Sequence, residues 1–501
     1  MASWFERRGI LDKLRQLLTE HSCEAYLVGG YVRDRLMGRE TETHDLDLAV
    51  ARDAIGLARR AADRLGGAFV LLDEERQTAR VVLRDDDERF YVDFASLRGD
   101  SVETDLAGRD FTINAMAINA QDAAPTPQLI DPYGGGQDLD RKVVRAVSDT
   151  IFRDDPVRLL RAVRLAAELE MQVADHTEQL MRRDASLITQ SSPERARDEL
   201  CKTLGAKRSE SSLRHLDQLA ILGPLVPELE PLRGIEQPTP HYQDAFDHSL
   251  ATVGGLERTF EAVHSMVVGA ALEQETWGHL EAAIGPFAEQ IRARLKENIV
   301  DERSRSMLLK LAGLLHDAGK GTTSKVDKNG RIRFFGHAVE GAAVAARVLR
   351  RLRFGNREVR LVQTVIRHHM RPLHLAQLEK VTRRAIHRFF RDTRGMGVDV
   401  LLHSLGDNLV IQHHGEDGTE WARICDTVGL LLRAYYEEYD EVVNPPSLVS
   451  GDDLMSHLCI GPGPDVGWLL QAVQEAQVTG QVSTPGEALR LAATLLERAK
   501  E

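Results

Sequence analysis

Two carboxylates, Asp45 and Asp47, stand two residues apart shortly after a glycine pair, Gly29-Gly30, that interrupts an apolar run. Carboxylates at alternate positions of a strand project from one face. A pair held that way can bridge two Mg²⁺ ions about 3.5–4 Å apart, one activating an attacking hydroxyl and one steadying a leaving pyrophosphate. A glycine turn between a strand and a helix lets a phosphate approach the backbone. The combination points to nucleotidyl transfer.

The elements that must position these groups are legible around them. Ala25 to Val28 reads as a short apolar strand, Gly29-Gly30 breaks it, and Tyr31 to Met37 resumes at helical spacing until Gly38. Asp45 to Val50 alternates, so Leu46 and Leu48 face away from the two aspartates. Asp93, in the alternating run from Arg89 to Ala95, is the candidate third carboxylate. Arg109 and Asp110 precede another apolar run, where a guanidinium could take a triphosphate oxygen and a carboxylate a ribose hydroxyl. Asp155-Pro156 reads as a helix start, with aspartate at the cap, proline at the first helical position and Arg158 in the first turn. A carboxylate beside a guanidinium can read the base edge of C or A and reject U and G.

A second constellation lies far downstream. His316-Asp317 closes an apolar helix, and Asp247-His248, His337, His368-His369 and Asp407 offer further donors. Imidazole and carboxylate together suit Mn²⁺, Fe²⁺, Ni²⁺ or a similar divalent ion, and an adjacent His-Asp can bridge a binuclear site that activates water.

The 501 residues have the apolar and charged fractions of an ordinary globular protein and suffice for several domains. Cys23, Cys201, Cys425 and Cys459 are scattered without a pairing motif, which suits a reducing compartment. Met1 to Leu18 is charged and amphipathic rather than a signal peptide, and no apolar run reaches membrane-spanning length. A cytoplasmic protein with no membrane partner is expected. The net charge of −13 is unlike that of a general nucleic-acid binder. Yet fourteen Lys and Arg against three acids fall between Arg347 and Arg394, which is either a solvated helix face or a track for an RNA backbone.

Residues 1–147 mix short strands and helices and read as an α/β head with a mixed sheet. Residues 148–223 are helical, with one helix opening at Ser192-Pro193, and would form an all-α neck and body. Residues 224–240 carry five prolines and read as a linker. Residues 241–412 form a second all-α domain, and 413–501 a helical tail.

The head motifs resemble those of the bacterial class II tRNA nucleotidyltransferases and poly(A) polymerases, in the polymerase beta superfamily. Gly29-Gly30-x-x-Arg33-Asp34 with Asp45-x-Asp47 resembles their first motif and Gly108 to Met116 the second. Asp131 to Asp138 resembles the third and Phe152 to Arg164 the fourth. The resemblance implies Mg²⁺ on Asp45 and Asp47, with Asp93 as third acid. It implies nucleotide contacts from Gly29, Gly30, Arg33, Arg109, Asp110, Asn114, Asp155, Arg158, Arg161 and Arg164. Asp155 and Arg158 would act as an amino-acid template for the incoming base. The expected activity is template-independent addition of C and A from CTP and ATP to the tRNA 3′ end, with CC-only, A-only and poly(A) addition as alternatives. Many relatives that add all of CCA carry a longer loop than the one between Arg98 and Arg109, so its shortness keeps a CC-only enzyme open. The series His248, His316-Asp317-x-Gly-Lys320, His337-x-x-x-Gly-Ala, His368-His369, Asp407 resembles the HD superfamily of metal phosphohydrolases. It implies a metal site that either hydrolyses phosphoesters or serves as a scaffold. A chain that is primarily an HD hydrolase or an RNA-binding scaffold, with an inert head, is the reading from another class.

Overall fold

Strand β1 (Ala25–Val28), β2 (Asp45–Val50), β3 (Ala68–Asp73), β4 (Thr78–Asp85), β5 (Glu88–Ser96), β6 (Ala117–Asn119) and β7 (Leu129–Ile130) form one seven-stranded sheet in the order β3-β4-β5-β2-β1-β6-β7. The β2–β5 pair is parallel and the other pairs are antiparallel, so the sheet is mixed as expected. The structure, a computed structural model, describes residues 9–39, 44–85, 88–124, 127–238, 242–269, 275–412 and 419–500. The expected amphipathic start falls partly outside them, at residues 1–8, as do the expected joints at 239–241 and 413–418.

Alternation decides the two faces of the sheet. Leu46, Leu48 and Val50 of β2 and Phe90, Val92 and Phe94 of β5 are buried beneath helices Ile10–Glu20 and Ala54–Leu65. Each such burial contributes roughly 1.5–3 kcal/mol relative to exposure. The opposite face carries Asp45 and Asp47 beside a smaller apolar cluster of Tyr26, Val28, Ala49, Val102 and Leu106.

The chain divides into two compact units, Met1–Ala206 with His215–Leu225, and Lys207–Arg214 with Val226–Glu501. In the first, helix Arg158–Glu168 packs on Pro193–Gly205, which opens as expected, with the Ser192 hydroxyl accepting from the Arg195 amide. In the second, Ala245–Val268 packs along Gly397–Gln412 and Arg305–Leu315, and His337–Arg351 along Asn356–His368.

Two segments pack more closely than their composition suggests. The proline-rich stretch is no polar linker over its first half: Pro227–Leu232 is a 3₁₀ helix that buries Leu229 and Leu232, because leucines alternate with its prolines. The helical tail lies in the same compact unit as the second domain. Thr419–Glu437 packs on Glu275–Ile284 and Met370–Ala376, and Glu475 of helix Pro464–Val478 accepts hydrogen bonds from Arg384, Arg388 and Arg391 at 2.7–2.8 Å. Among the described residues, no helix is long and apolar enough to cross a membrane.

Candidate functional site

Parallel pairing of β2 with β5 sets Asp47 beside Asp93, with Asp45 two residues away on the same face. The head therefore brings together all three expected carboxylates. Gly29 follows β1, whose last residue, Val28, pairs with Asp47: its φ of +71° suits glycine, and a Cβ there would lie 3.0 Å from Asp47 Oδ2 and 3.3 Å from an Arg109 nitrogen. A side chain there would press on both the carboxylate and the guanidinium. Burial, with like charge from Asp93 and Asp45, holds the Asp47 carboxyl up at about 6, against the pull of Arg109 and Arg80. A divalent cation relieves such like-charge crowding, and hard carboxylate oxygens fit Mg²⁺.

Around the carboxylates the arginines are held in pairs. Arg80 of β4 grips Asp93 through two hydrogen bonds of 2.7 Å. Arg109 donates to buried Asp105 at 3.0 and 3.1 Å. Arg33 donates to Asn114 at 2.8 Å, Asn114 to Asp110 at 3.1 Å, and Arg161 to Asp110 at 3.0 Å. Burial would raise Asp110, but Arg161, Asn114 and the Phe111 amide overcome it and hold the carboxyl below its ordinary value. Arg161 also donates to Glu199, which accepts from Arg164 at 2.6 Å. Arg80, Asp105, Arg195 and Glu199 were not anticipated, because they lie outside the head motifs and act as partners.

The proposed base-reading pair sits differently from expectation. Asp155 does not cap a helix: it ends the short helix Ile151–Asp154 in an extended conformation, and the next helix begins at Arg158 without a side-chain cap. Its carboxylate instead accepts two hydrogen bonds from Arg195, at 2.9 and 2.6 Å. The Arg195 fork matches a carboxylate in two-point geometry, which outcompetes a single amide. Arg158 is buried and donates to the Gly108 carbonyl at 2.9 Å, which also accepts from Arg98 at 2.7 Å. The short connection after β5 is closed by helix Val102–Ala107.

In the second unit five elements converge. His248 comes from Ala245–Val268, His316 and Asp317 from the end of Arg305–Leu315, and His337 from the start of the next long helix. His369 follows Asn356–His368, and Asp407 lies on Gly397–Gln412. Two donor groups result, His248–His316–Asp407 and His316–Asp317–His369. His248 Nε2 lies 2.9 Å from Asp407 Oδ1, and His316 Nε2 lies 3.2 Å from Asp317 Oδ2. Glycines permit this crowding: a Cβ on Gly319 would sit 2.2 Å from the His337 carbonyl oxygen, and one on Gly341 3.0 Å from that of His316.

These residues fit a metal. His316, His337 and His369 each place Nδ1 2.6–2.9 Å from the carbonyl oxygen three residues earlier. In the neutral ring, donation there leaves each Nε2 as a lone pair directed into the cluster, the form a bound cation would select. The Nε2 atoms of His337 and His369 are 3.3 Å apart, a contact that two lone pairs repel and a cation resolves. Asp317 Oδ1 is buried without a hydrogen-bond partner. Burial drives His369 well below its ordinary value, while His316 is raised to about 9 because Asp317 and Asp407 overcome its burial. His368 is the exception: it stays outside the cluster, where its charged neighbours are Arg371 and Asp392. One helical step separates it from His369, and only the latter faces inward. Lys320 donates to Asp317 at 2.6 Å and to Gln237 at 2.6 Å. His403, one turn before Asp407, was not anticipated; its ring stands 5.2 Å from that of His316.

A sheet-borne carboxylate trio beneath a glycine turn, joined to a helical His/Asp centre, defines a metal-dependent nucleotidyltransferase with an HD-type domain. The chain matches the Poly A polymerase head domain over residues 25–145, the Probable RNA and SrmB- binding site of polymerase A over 170–232 and the HD domain over 285–422. It is 32% identical over 472 residues to an A-adding tRNA nucleotidyltransferase of Deinococcus radiodurans, covering 93% of this chain and 94% of that one. It is 32% identical to a CC-adding tRNA nucleotidyltransferase of Thermus thermophilus, covering 93% and 92%. A solved CCA-adding enzyme in complex with CTP superposes with a TM-score of 0.61 at 21% identity, over 98% of this chain and 96% of that one. The chain belongs to the tRNA nucleotidyltransferase family.

Proposed function

We propose that this protein adds C and A from CTP and ATP to the 3′ end of tRNA without a nucleic acid template. The pairing of Asp47 with Asp93, on the face that also bears Asp45 and under the Gly29 turn, carries the reading. Asp45, Asp47 and Asp93 would hold Mg²⁺, which when bound supplies charge for attack of the RNA 3′-hydroxyl on the α-phosphate and for departure of pyrophosphate. Gly29 and Gly30 admit the triphosphate to the backbone, and Arg33 and Arg109 neutralise it. Asp110 and Asn114 take the ribose. Asp155 and Arg158 present a carboxylate and a guanidinium to the base, while Arg161 holds Asp110 and, with Arg164, Glu199. We assign transfer to residues 1–147, base choice and RNA binding to 148–223, and a phosphohydrolase centre to the domain from 241, loaded with Mn²⁺, Fe²⁺ or Ni²⁺ on His248, His316, Asp317, His337, His369 and Asp407. Substrates of this kind place the protein in the cytoplasm.

One observation favours a specialist that adds only C or only A. The connection between β5 and Arg109 is short and helical, and its Gly108 carbonyl is gripped by Arg98 and Arg158, so the segment next to the proposed template has little slack. The relatives matching nearly the whole chain include both an A-adding and a CC-adding enzyme. The test is incorporation of labelled CTP and ATP into tRNA transcripts ending before CCA, after C and after CC. Stepwise addition of C, C and A, then arrest, establishes the complete activity. Arrest after CC, or addition of A alone, identifies the specialist, and an unbounded A ladder overturns tRNA-end addition.

A further inference from the structure

His403 is fully buried on the apolar helix Gly397–Gln412, yet both its ring nitrogens lack a hydrogen-bond partner. A buried imidazole without partners is destabilising, so the ring calls for a polar partner. Its surroundings name the kind. The ring packs edge-on against His316 at 5.2 Å and His369 at 5.9 Å between centroids. Proposed ligand pairs in the same cluster show matching spacings: 5.4 Å for His248–His316, 5.2 Å for His316–His369 and 5.2 Å for His337–His369. On its own helix His403 precedes Asp407 by four residues, which puts both side chains on one face. His316, shared by the two donor groups, touches His403 directly.

We propose that His403 is a further ligand of the metal centre in the second unit, raising its donors to five imidazoles and two carboxylates. A donor set so rich in imidazole favours a transition ion such as Mn²⁺, Fe²⁺ or Ni²⁺ over Mg²⁺. The inference rests on the reading of this cluster as a metal site.

The test is Mn²⁺ titration calorimetry and bound-metal analysis on the full chain carrying Asp45→Asn and Asp47→Asn, so that binding reports the second centre. His403→Phe is expected to weaken Mn²⁺ at least about tenfold, while the metal-free protein melts at the same or a higher temperature, since an unpartnered polar ring has been replaced by an apolar one. Unchanged affinity and stoichiometry in His403→Phe overturn the proposal. His403→Gln, which keeps a polar donor of smaller reach, should also lose affinity and serves if the phenylalanine variant misfolds. Loss of binding in His316→Ala but not in His403→Phe rejects His403 alone. Failure of the parent to bind any divalent ion rejects the metal reading itself.

Discussion

The two charged sites reach the same end, several acids crowded together, by opposite routes. In the head, strand register and alternation set Asp45, Asp47 and Asp93 on one face, and arginines stand nearby: Arg80 on Asp93, Arg109 over the Gly29 turn. In the HD domain the acids are buried among imidazoles, and helices meet at Gly319 and Gly341 with no room for side chains. The first site rests on one sheet face, with Asp45 exposed and Asp47 and Asp93 partly buried. The second is a mostly buried cluster in which imidazole nitrogens supply most of the candidate donors.

The sharpest way to break the comparison is to disable each site alone. Asp45→Ala with Asp47→Ala should reduce nucleotide incorporation on the order of 10³-fold or more, leaving Mn²⁺ retention by the second unit unchanged. His316→Ala with Asp317→Ala should do the reverse: bound transition metal is lost and incorporation persists. Loss of both properties in either variant, measured by primer extension and metal analysis, would show that the sites are coupled.

Next in size are the glycines. A Cβ at Gly319 meets the His337 carbonyl oxygen at 2.2 Å, a backbone atom that cannot yield cheaply. Gly319→Ala should therefore destabilise the second unit by roughly 1–3 kcal/mol, read as a lower urea midpoint, and weaken metal retention. Gly29→Ala also strains the backbone, at φ +71°, but its nearest obstacle is a carboxylate oxygen 3.0 Å away that can turn aside. Its main effect should fall on incorporation rather than on unfolding.

Base choice offers a subtler test within the head. Arg195 holds Asp155 by a two-point contact, and Arg158 is anchored to the Gly108 carbonyl. Arg195→Leu frees the carboxylate, and discrimination against UTP should fall about tenfold while the melting temperature changes little. Unaltered selectivity would leave Arg195 a purely structural partner.

Much of this was legible in the sequence because its signals are local. The alternation of Asp45-Leu46-Asp47-Leu48 fixed both faces of β2, and the ordered His and His-Asp motifs marked the second site, although the close helix contacts at Gly319 and Gly341 emerge only from packing. Asp93 was legible as an alternating residue, but its place beside Asp47 depends on parallel pairing of β2 with a strand some forty residues later. Asp155 misled because a cap and an ion pair use the same carboxylate, and Arg195 is forty residues away. His368 and His369 are one helical step apart, so only packing separates them. His403 carried a signal, the four-residue spacing to Asp407, yet on an apolar helix it reads as core. The basic run from Arg347 to Arg394 read either as a solvated face or as an RNA track, and within it Arg383 pairs with Glu438 while Arg384, Arg388 and Arg391 converge on Glu475. Charge counts along the chain do not reveal a counter-ion that arrives from a later helix.

That counter-ion gives the smallest expected effect and extends the comparison to a third charged site. Hydrogen bonds from Arg388, with Arg384 and Arg391, hold the Glu475 carboxyl down to about 2 from an ordinary 4.5, against the effect of burial. A carboxyl lowered on folding stabilises the fold above its unfolded value, and the contribution fades as pH drops through its folded value. Glu475→Gln should therefore lower the melting temperature above about pH 5, by the equivalent of roughly 1 kcal/mol because the arginines are partly exposed. The difference from the parent should shrink between pH 4.5 and 2. The same variant leaves three arginines on helix Arg383–Thr393 without their shared acid. If that face also contacts RNA, tRNA affinity rises and falls more steeply with salt in the variant. If the arginines serve only to dock the tail, stability changes and the salt slope does not.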